Sequence, residues 1–203
     1  MISAQDALQK LREGNARFTS DPGQQGERPA FKSIENQEPA AIILACSDSR
    51  VPPEVVFDQG IGDLFIVRVA GNIVTPAQTG SIEFAAEKFG SRLVVVLGHT
   101  MCGAIRATLD DLANPAPSRT ENLHSIVDAI SPCLSPLIAR SPQLSEDKML
   151  REAMRENVHH SVRQLQLQSS ILRKQVSEKG LEIIGAEYCV STGSVNFLEP
   201  TAP

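Results

Sequence analysis

Residues 93–109 read "LVVVLGHTMCGAIRATL", and the fold class follows from how this stretch changes character half-way along. Leu93 to Gly98 is an unbroken apolar run rich in valine, the composition of a strand buried on both faces. From Cys102 to Asn114 the pattern "CGAIRATLDDLAN" is helical. His99 and Cys102 stand between them, at the strand end and in the turn into the helix. In open α/β sheets that carboxyl edge is where ligands bind.

Three other apolar runs have the same strand character: "AAIILA" (40–45), "LFIVRVA" (64–70) and "LEIIGAEYCV" (181–190). Helical patterns separate most of them. In "TGSIEFAAEKFG" (79–90), Ile82, Ala85, Ala86 and Phe89 share one face and Gly90 is a stop signal. Such alternation predicts crossover connections, hence an α/β fold. The expectation is a single domain over residues 1–203, its mainly parallel central sheet of about four strands plus an antiparallel edge strand flanked by helices. The segment 111–147, with "NPAPSRTEN" and its Ser-Pro pairs, predicts loops around one or two short helices. From Ser145, an N-cap followed by Glu146 and Asp147, a helical pattern runs to a stop at Lys179-Gly180. It exceeds the usual helix length of about 8 to 20 residues, so a break is expected near Gln168 to Ser170.

The formal charge is −5 over 203 residues and no Lys/Arg-rich run occurs, which argues against a nucleic-acid partner. The opening "MISAQDALQKLREGNARF" reads as an amphipathic helix, an arm over about 3–18, rather than a signal peptide. No apolar run approaches the roughly 20 residues that span a bilayer, so no membrane partner is expected and the reading is cytoplasmic. Four cysteines are too sparse for a disulfide framework; in a reducing compartment a Cys/His grouping points to metal or catalysis. Nucleotide binding is poorly supported, because neither a G-x-G-x-x-G turn nor a G-x4-G-K-[ST] loop is present.

The first apolar run leads into "CSDSR", so Cys46 also sits just past a strand end. If the backbone remains extended there, Cys46, Asp48 and Arg50 project to one side. Cys46, His99 and Cys102 form a donor set suited to zinc, and three protein ligands leave a position for water. Asp48 either completes the coordination and closes the site or pairs with Arg50 and accepts a hydrogen bond from the water. Cys133 and Cys189 read as small hydrophobes, and His124, His159 and His160 as surface or packing residues.

The stretches "CSDSRVPPEVVFDQGIGDLFIVRVAGN" and "GSIEFAAEKFGSRLVVVLGHTMCGAI" resemble the two signature regions of the β-class carbonic anhydrases, in their bacterial, plant-like branch. The similarity runs from the N-terminal helix to "GAEYCVSTGSVNFLE" and covers essentially the whole chain. The resemblance implies zinc held by Cys46, His99 and Cys102, with Asp48 and Arg50 as the gating dyad and Asp48 a ligand only in a closed form. It implies a homodimer or homotetramer in which the N-terminal helix wraps a neighbour. Gln37 stands where plant-like members place an amide that binds substrate across the subunit interface, and Phe65 at their apolar pocket wall. Phe84 stands where that branch commonly has Tyr. The other branch's allosteric bicarbonate site requires a Trp, and this chain has none.

The implied reaction is reversible hydration of carbon dioxide to bicarbonate and a proton by zinc-bound hydroxide. Phe65, Phe84 and Val69 are then expected around the substrate, with Gln37 and the N–H of Gly103 donating to bicarbonate oxygens. The alternatives are a zinc hydrolase of the same fold acting on carbonyl sulfide or carbon disulfide, and a closed-site, non-catalytic zinc protein.

Overall fold

The structure, a computed structural model, describes residues 2–20, 37–114 and 120–199. Strand β1 (Ala41–Ala45) is followed by the short helix α2 (Pro53–Val56), then β2 (Leu64–Arg68) and a 3-10 turn at Ala70–Asn72. Helix α3 (Pro76–Lys88), β3 (Leu93–His99) and α4 (Gly103–Ala113) follow. After α5 (Glu121–Arg140), α6 (Glu146–Gln168) and α7 (Ser170–Lys179), the chain ends with β4 (Glu182–Tyr188) and β5 (Val195–Phe197), while α1 (Ala4–Ser20) precedes them all. The sheet order is β2-β1-β3-β4-β5; the first four strands are parallel and β5 runs antiparallel to β4. This is the expected architecture, edge strand included.

Strand alternation divides the core into two layers. Ile42, Leu44, Val94 and Val96 face one side, packed with residues of α3 to α7; Ala41, Ile43, Val95 and Leu97 face the other, with Ala7 and Leu11 of α1 and Phe57. Helix α1 thus seats its apolar stripe on the sheet of its own chain.

Segment 111–147 differs from the expected loops and short helices. Helix α5 is a 20-residue helix that contains Pro132 and Pro136. Val127, Ile130, Leu134 and Leu137 recur at helical spacing and are buried, and Thr120 caps the start by accepting from Leu123 N–H. Both prolines are exposed, as is Asp128, so the carbonyls that proline leaves unbonded at i−4 face water. The Ser-Pro pairs signalled breaks, but the apolar stripe outweighs them. Residues 115–119, within the expected loop, lie outside the described residues. The break expected near Gln168 to Ser170 falls at Ser169, whose hydroxyl oxygen accepts from Leu172 N–H at 2.9 Å and caps α7.

Helix α6 lies hard against β3 and β4. A Cβ on Gly98 would come 2.4 Å from Val158 Cγ2, and one on Gly185 would come 2.6 Å from Val158 Cγ1. Only glycine admits that approach. Glu187 on β4, 2% exposed, pins the helix: its Oε1 accepts from Arg151 Nε and its Oε2 from Arg155 Nε, each at 2.9 Å.

Candidate metal centre

Two parallel strands end side by side, because Ala45 pairs with Leu97. The residues that follow therefore leave the sheet at one edge. Cys46 comes directly after β1, His99 is the last residue of β3, and Cys102 is the N-cap of α4. Met101 takes a positive φ of 58°, which turns the chain sharply between His99 and Cys102. The two sulfurs and a nitrogen of His99 all lie within 4.8 Å of one another, and all three residues are buried.

The hydrogen bonds around His99 decide which nitrogen is available. Nδ1 lies 2.9 Å from the carbonyl oxygen of Thr100. A carbonyl only accepts, so Nδ1 carries the proton and Nε2 presents a lone pair. Nε2 is buried with no hydrogen-bond partner among the described residues. A buried acceptor left unpaired in this way fits a metal ion. Thr100 is itself anchored: its N–H donates to Tyr188 O at 2.9 Å and its Oγ1 accepts from Val190 N–H at 3.1 Å.

The thiols behave as a pair. A hydrogen bond from Cys102 holds Cys46 well below the ordinary thiol range, and the Gly71 N–H, 3.3 Å from Cys46 Sγ, works in the same direction. The same partner, with burial, pushes Cys102 up. One sulfur is thus a ready thiolate; a bound dication would displace the proton from the other.

Asp48 and Arg50 adjoin this cluster. Arg50 donates from Nε and from its backbone N–H to Asp48 Oδ1, each at 2.9 Å, and from Nη2 to Oδ2 at 2.7 Å. This bidentate grip holds the Asp48 carboxyl well below the usual carboxylate range. Asp48 Oδ2 is 4.0 Å from His99 Nε2, so the carboxylate borders the metal position while engaged by Arg50. The backbone is not extended as far as Arg50, since β1 stops at Ala45 and a turn follows; the side chains converge through the turn instead.

The other candidates are more scattered. Gly103 opens α4 beside Cys102, and Val69 donates its N–H to Ala45 O at 3.1 Å, next to Cys46. Phe65 pairs with Ile42, about 13 Å along the sheet from Cys46 at 3.3 Å per residue. Its ring is 6.4 Å from that of Phe84, which is 53% exposed. Gln37 is exposed and precedes the amino end of β1, whereas Cys46 follows the carboxyl end. Cys133 is buried in α5, as a small hydrophobe would be, and Cys189 is partly buried after β4.

Arg68 is the residue that pattern reading overlooked. From β2 it donates through Nε to Cys46 O at 3.0 Å and through Nη2 to Asp48 O at 2.6 Å, bracing the turn that carries both. The signal in the sequence was faint: an arginine that interrupts the apolar run "LFIVRVA", at what proves an exposed position of β2.

Fold and site together define a candidate metal centre at the carboxyl edge of a parallel sheet, with two sulfurs and an imidazole on one side and a carboxylate-guanidinium pair on the other. A family model described as carbonic anhydrase matches residues 41–195. A carbonic anhydrase of Mycolicibacterium smegmatis is 37% identical over 196 residues, covering 94% of this chain and 91% of its own. Among solved structures, a β-carbonic anhydrase of Aspergillus fumigatus superposes with a TM-score of 0.76 at 26% identity, covering 98% of this chain and 92% of that one. One of two tetrameric β-carbonic anhydrases from Sordaria macrospora superposes with a TM-score of 0.73 at 22% identity, covering 95% and 97%. The chain belongs to the β-class carbonic anhydrases, zinc enzymes that hydrate carbon dioxide.

Proposed function

We propose that Cys46, His99 and Cys102 are the protein ligands of the zinc ion and that Asp48 and Arg50 are the catalytic pair beside it. The observation that carries this reading is the unpartnered Nε2 of His99, aimed at the same space as two sulfurs. When bound, zinc supplies the Lewis acidity that brings the pKa of a water from about 15.7 towards 7. Asp48 accepts a hydrogen bond from the attacking oxygen and orients its lone pair at the carbon of carbon dioxide. Arg50 keeps Asp48 ionised and occupied, which favours the open arrangement over Asp48 ligation. Gly103, the first residue of α4 and next to Cys102, would donate its N–H to an oxygen of bicarbonate as negative charge develops there.

Gln37, Phe65 and Phe84 serve this reaction in a homodimer or homotetramer, in which one chain completes its neighbour's site. Their placement away from Cys46 of the same chain supports that reading, as does β2, which among the described residues pairs on one side only and leaves a sheet edge next to the Phe65–Phe84–Phe89 cluster. The tetrameric Sordaria macrospora proteins are consistent with it. A cytoplasmic setting agrees with four cysteines that form no disulfide and with described helices none of which is long and apolar enough to cross a membrane.

Stopped-flow carbon dioxide hydration on metal-quantified protein across pH tests the reading. Wild type should turn over with about one zinc per chain, and Cys46→Ala should lose both metal and activity. Turnover by a zinc-free Cys46→Ala protein would end it.

A further inference from the structure

The Gly71 N–H that reaches Cys46 Sγ belongs to an awkward turn. Gly71 has φ 71° and the next residue, Asn72, has φ 43°, a left-handed conformation that is costly for a non-glycine residue. The turn is also tightly enclosed: a Cβ on Gly71 would lie 2.8 Å from Ile130 Cδ1 and 3.1 Å from Ala104 Cβ. Strained backbone of this kind persists only where its surroundings over-determine it. Here the determinants come from α6. Asn157 Nδ2 donates to Gly71 O at 2.8 Å, and Ser161 Oγ donates to Asn72 O at 3.0 Å. Both residues are 1% exposed and stand one helical turn apart. Helix α6 can deliver them because Gly98 and Gly185 let it approach the sheet closely.

From this chain of contacts we infer that Asn157 and Ser161 are positioning residues for the metal centre. They act through the turn: by clasping the carbonyls of Gly71 and Asn72 they fix the two peptide planes that follow the Gly71 Cα, and with them the turn in which the Gly71 N–H, in the plane before, donates to Cys46 Sγ. That bond sets the orientation of the sulfur and withdraws charge from it, so the effect reaches the metal–sulfur bond although neither side chain touches a ligand. The inference rests on Cys46 being a zinc ligand.

The test uses Asn157→Asp, which keeps the shape and removes the amide donor, and Ser161→Ala, which removes only a hydroxyl. Leu165→Ala, a buried apolar truncation on the same helix, is the stability control. Two readouts are followed in the full-length protein: zinc dissociation by competition with a chromophoric chelator, and the thiolate-to-metal charge-transfer band of the cobalt(II)-substituted protein. The expected result is zinc affinity about tenfold weaker in each clasp variant, with a displaced cobalt band, while Leu165→Ala lowers the melting temperature and leaves band and affinity as in wild type. Folded clasp variants with wild-type affinity and an unmoved band would overturn the inference, as would a Leu165→Ala protein that reproduces both changes. If Asn157→Asp does not fold, Ser161→Ala alone decides. A wild-type protein with no cobalt–thiolate band at all would instead count against the ligand assignment.

Discussion

Arg68 Nε donates to the carbonyl oxygen of Cys46 at 3.0 Å, and this contact ties a residue of β2 to the first residue after the neighbouring strand. Its Nη2 reaches Asp48 O as well, so one guanidinium spans the backbone of the Cys46–Asp48 turn. Replacing Arg68 with Met keeps the apolar stem and removes both donors. Arg68→Met should lower kcat about 10- to 100-fold through loss of Asp48 orientation, while KM moves little. Zinc content and kcat/KM measured together check this, and an unchanged kcat would remove Arg68 from the support of the site.

Asp48→Asn keeps the size of the side chain but loses the charge that pairs with Arg50 and the second acceptor oxygen. Zinc is expected to stay bound, since Cys46, His99 and Cys102 are untouched. Turnover should fall about 10²- to 10⁴-fold, the range for removing a positioned proton-handling group. The check is stopped-flow hydration on protein whose zinc has been quantified.

His159 and His160 on α6 are half-buried, and burial lowers the pKa of each; Arg163 adds to the shift at both, Arg155 adds at His159, and Glu156 opposes it there. Above their unfolded pKa of about 6.5 both states are neutral and no stability is lost. Below it the unfolded chain takes up protons before the folded one does, so stability falls as pH drops. The melting temperature should decline between pH 7 and pH 5.5, and the double variant His159→Gln/His160→Gln should show a flatter profile. Parallel profiles would mean that other groups carry the acid sensitivity.

Gly98→Ala should destabilise the fold by about 1–3 kcal/mol, because its Cβ would overlap Val158 Cγ2 and Met154 Sδ, at 2.4 and 2.8 Å. Adding Val158→Ala removes one of those obstacles and should recover part of the loss. A double-mutant cycle from urea denaturation measures the coupling, and strictly additive effects would show that the two positions do not meet in the way described.

The chain by itself determined the four parallel strands, most helices and the three candidate donor residues, but not the place of β5. The reason is physical: parallel strands buried on both faces must be apolar throughout, as "LVVVLG" and "AAIILA" are, and side chains competent for metal chemistry at their ends stand out against that background. The break at Ser169 was legible for a similar reason, since a helix of such length needs new caps. Helix α5 was not, because local Ser-Pro signals contradicted an apolar stripe whose burial depends on α4 and α6. What only the tertiary structure decided is how the donors are held. The bond from Asn157 to Gly71 O joins residues 86 positions apart, and that from Arg68 to Cys46 O joins residues 22 apart. Such contacts leave no local periodicity, because a hydrogen bond depends on where the folded backbone brings two groups and not on the residues that flank them.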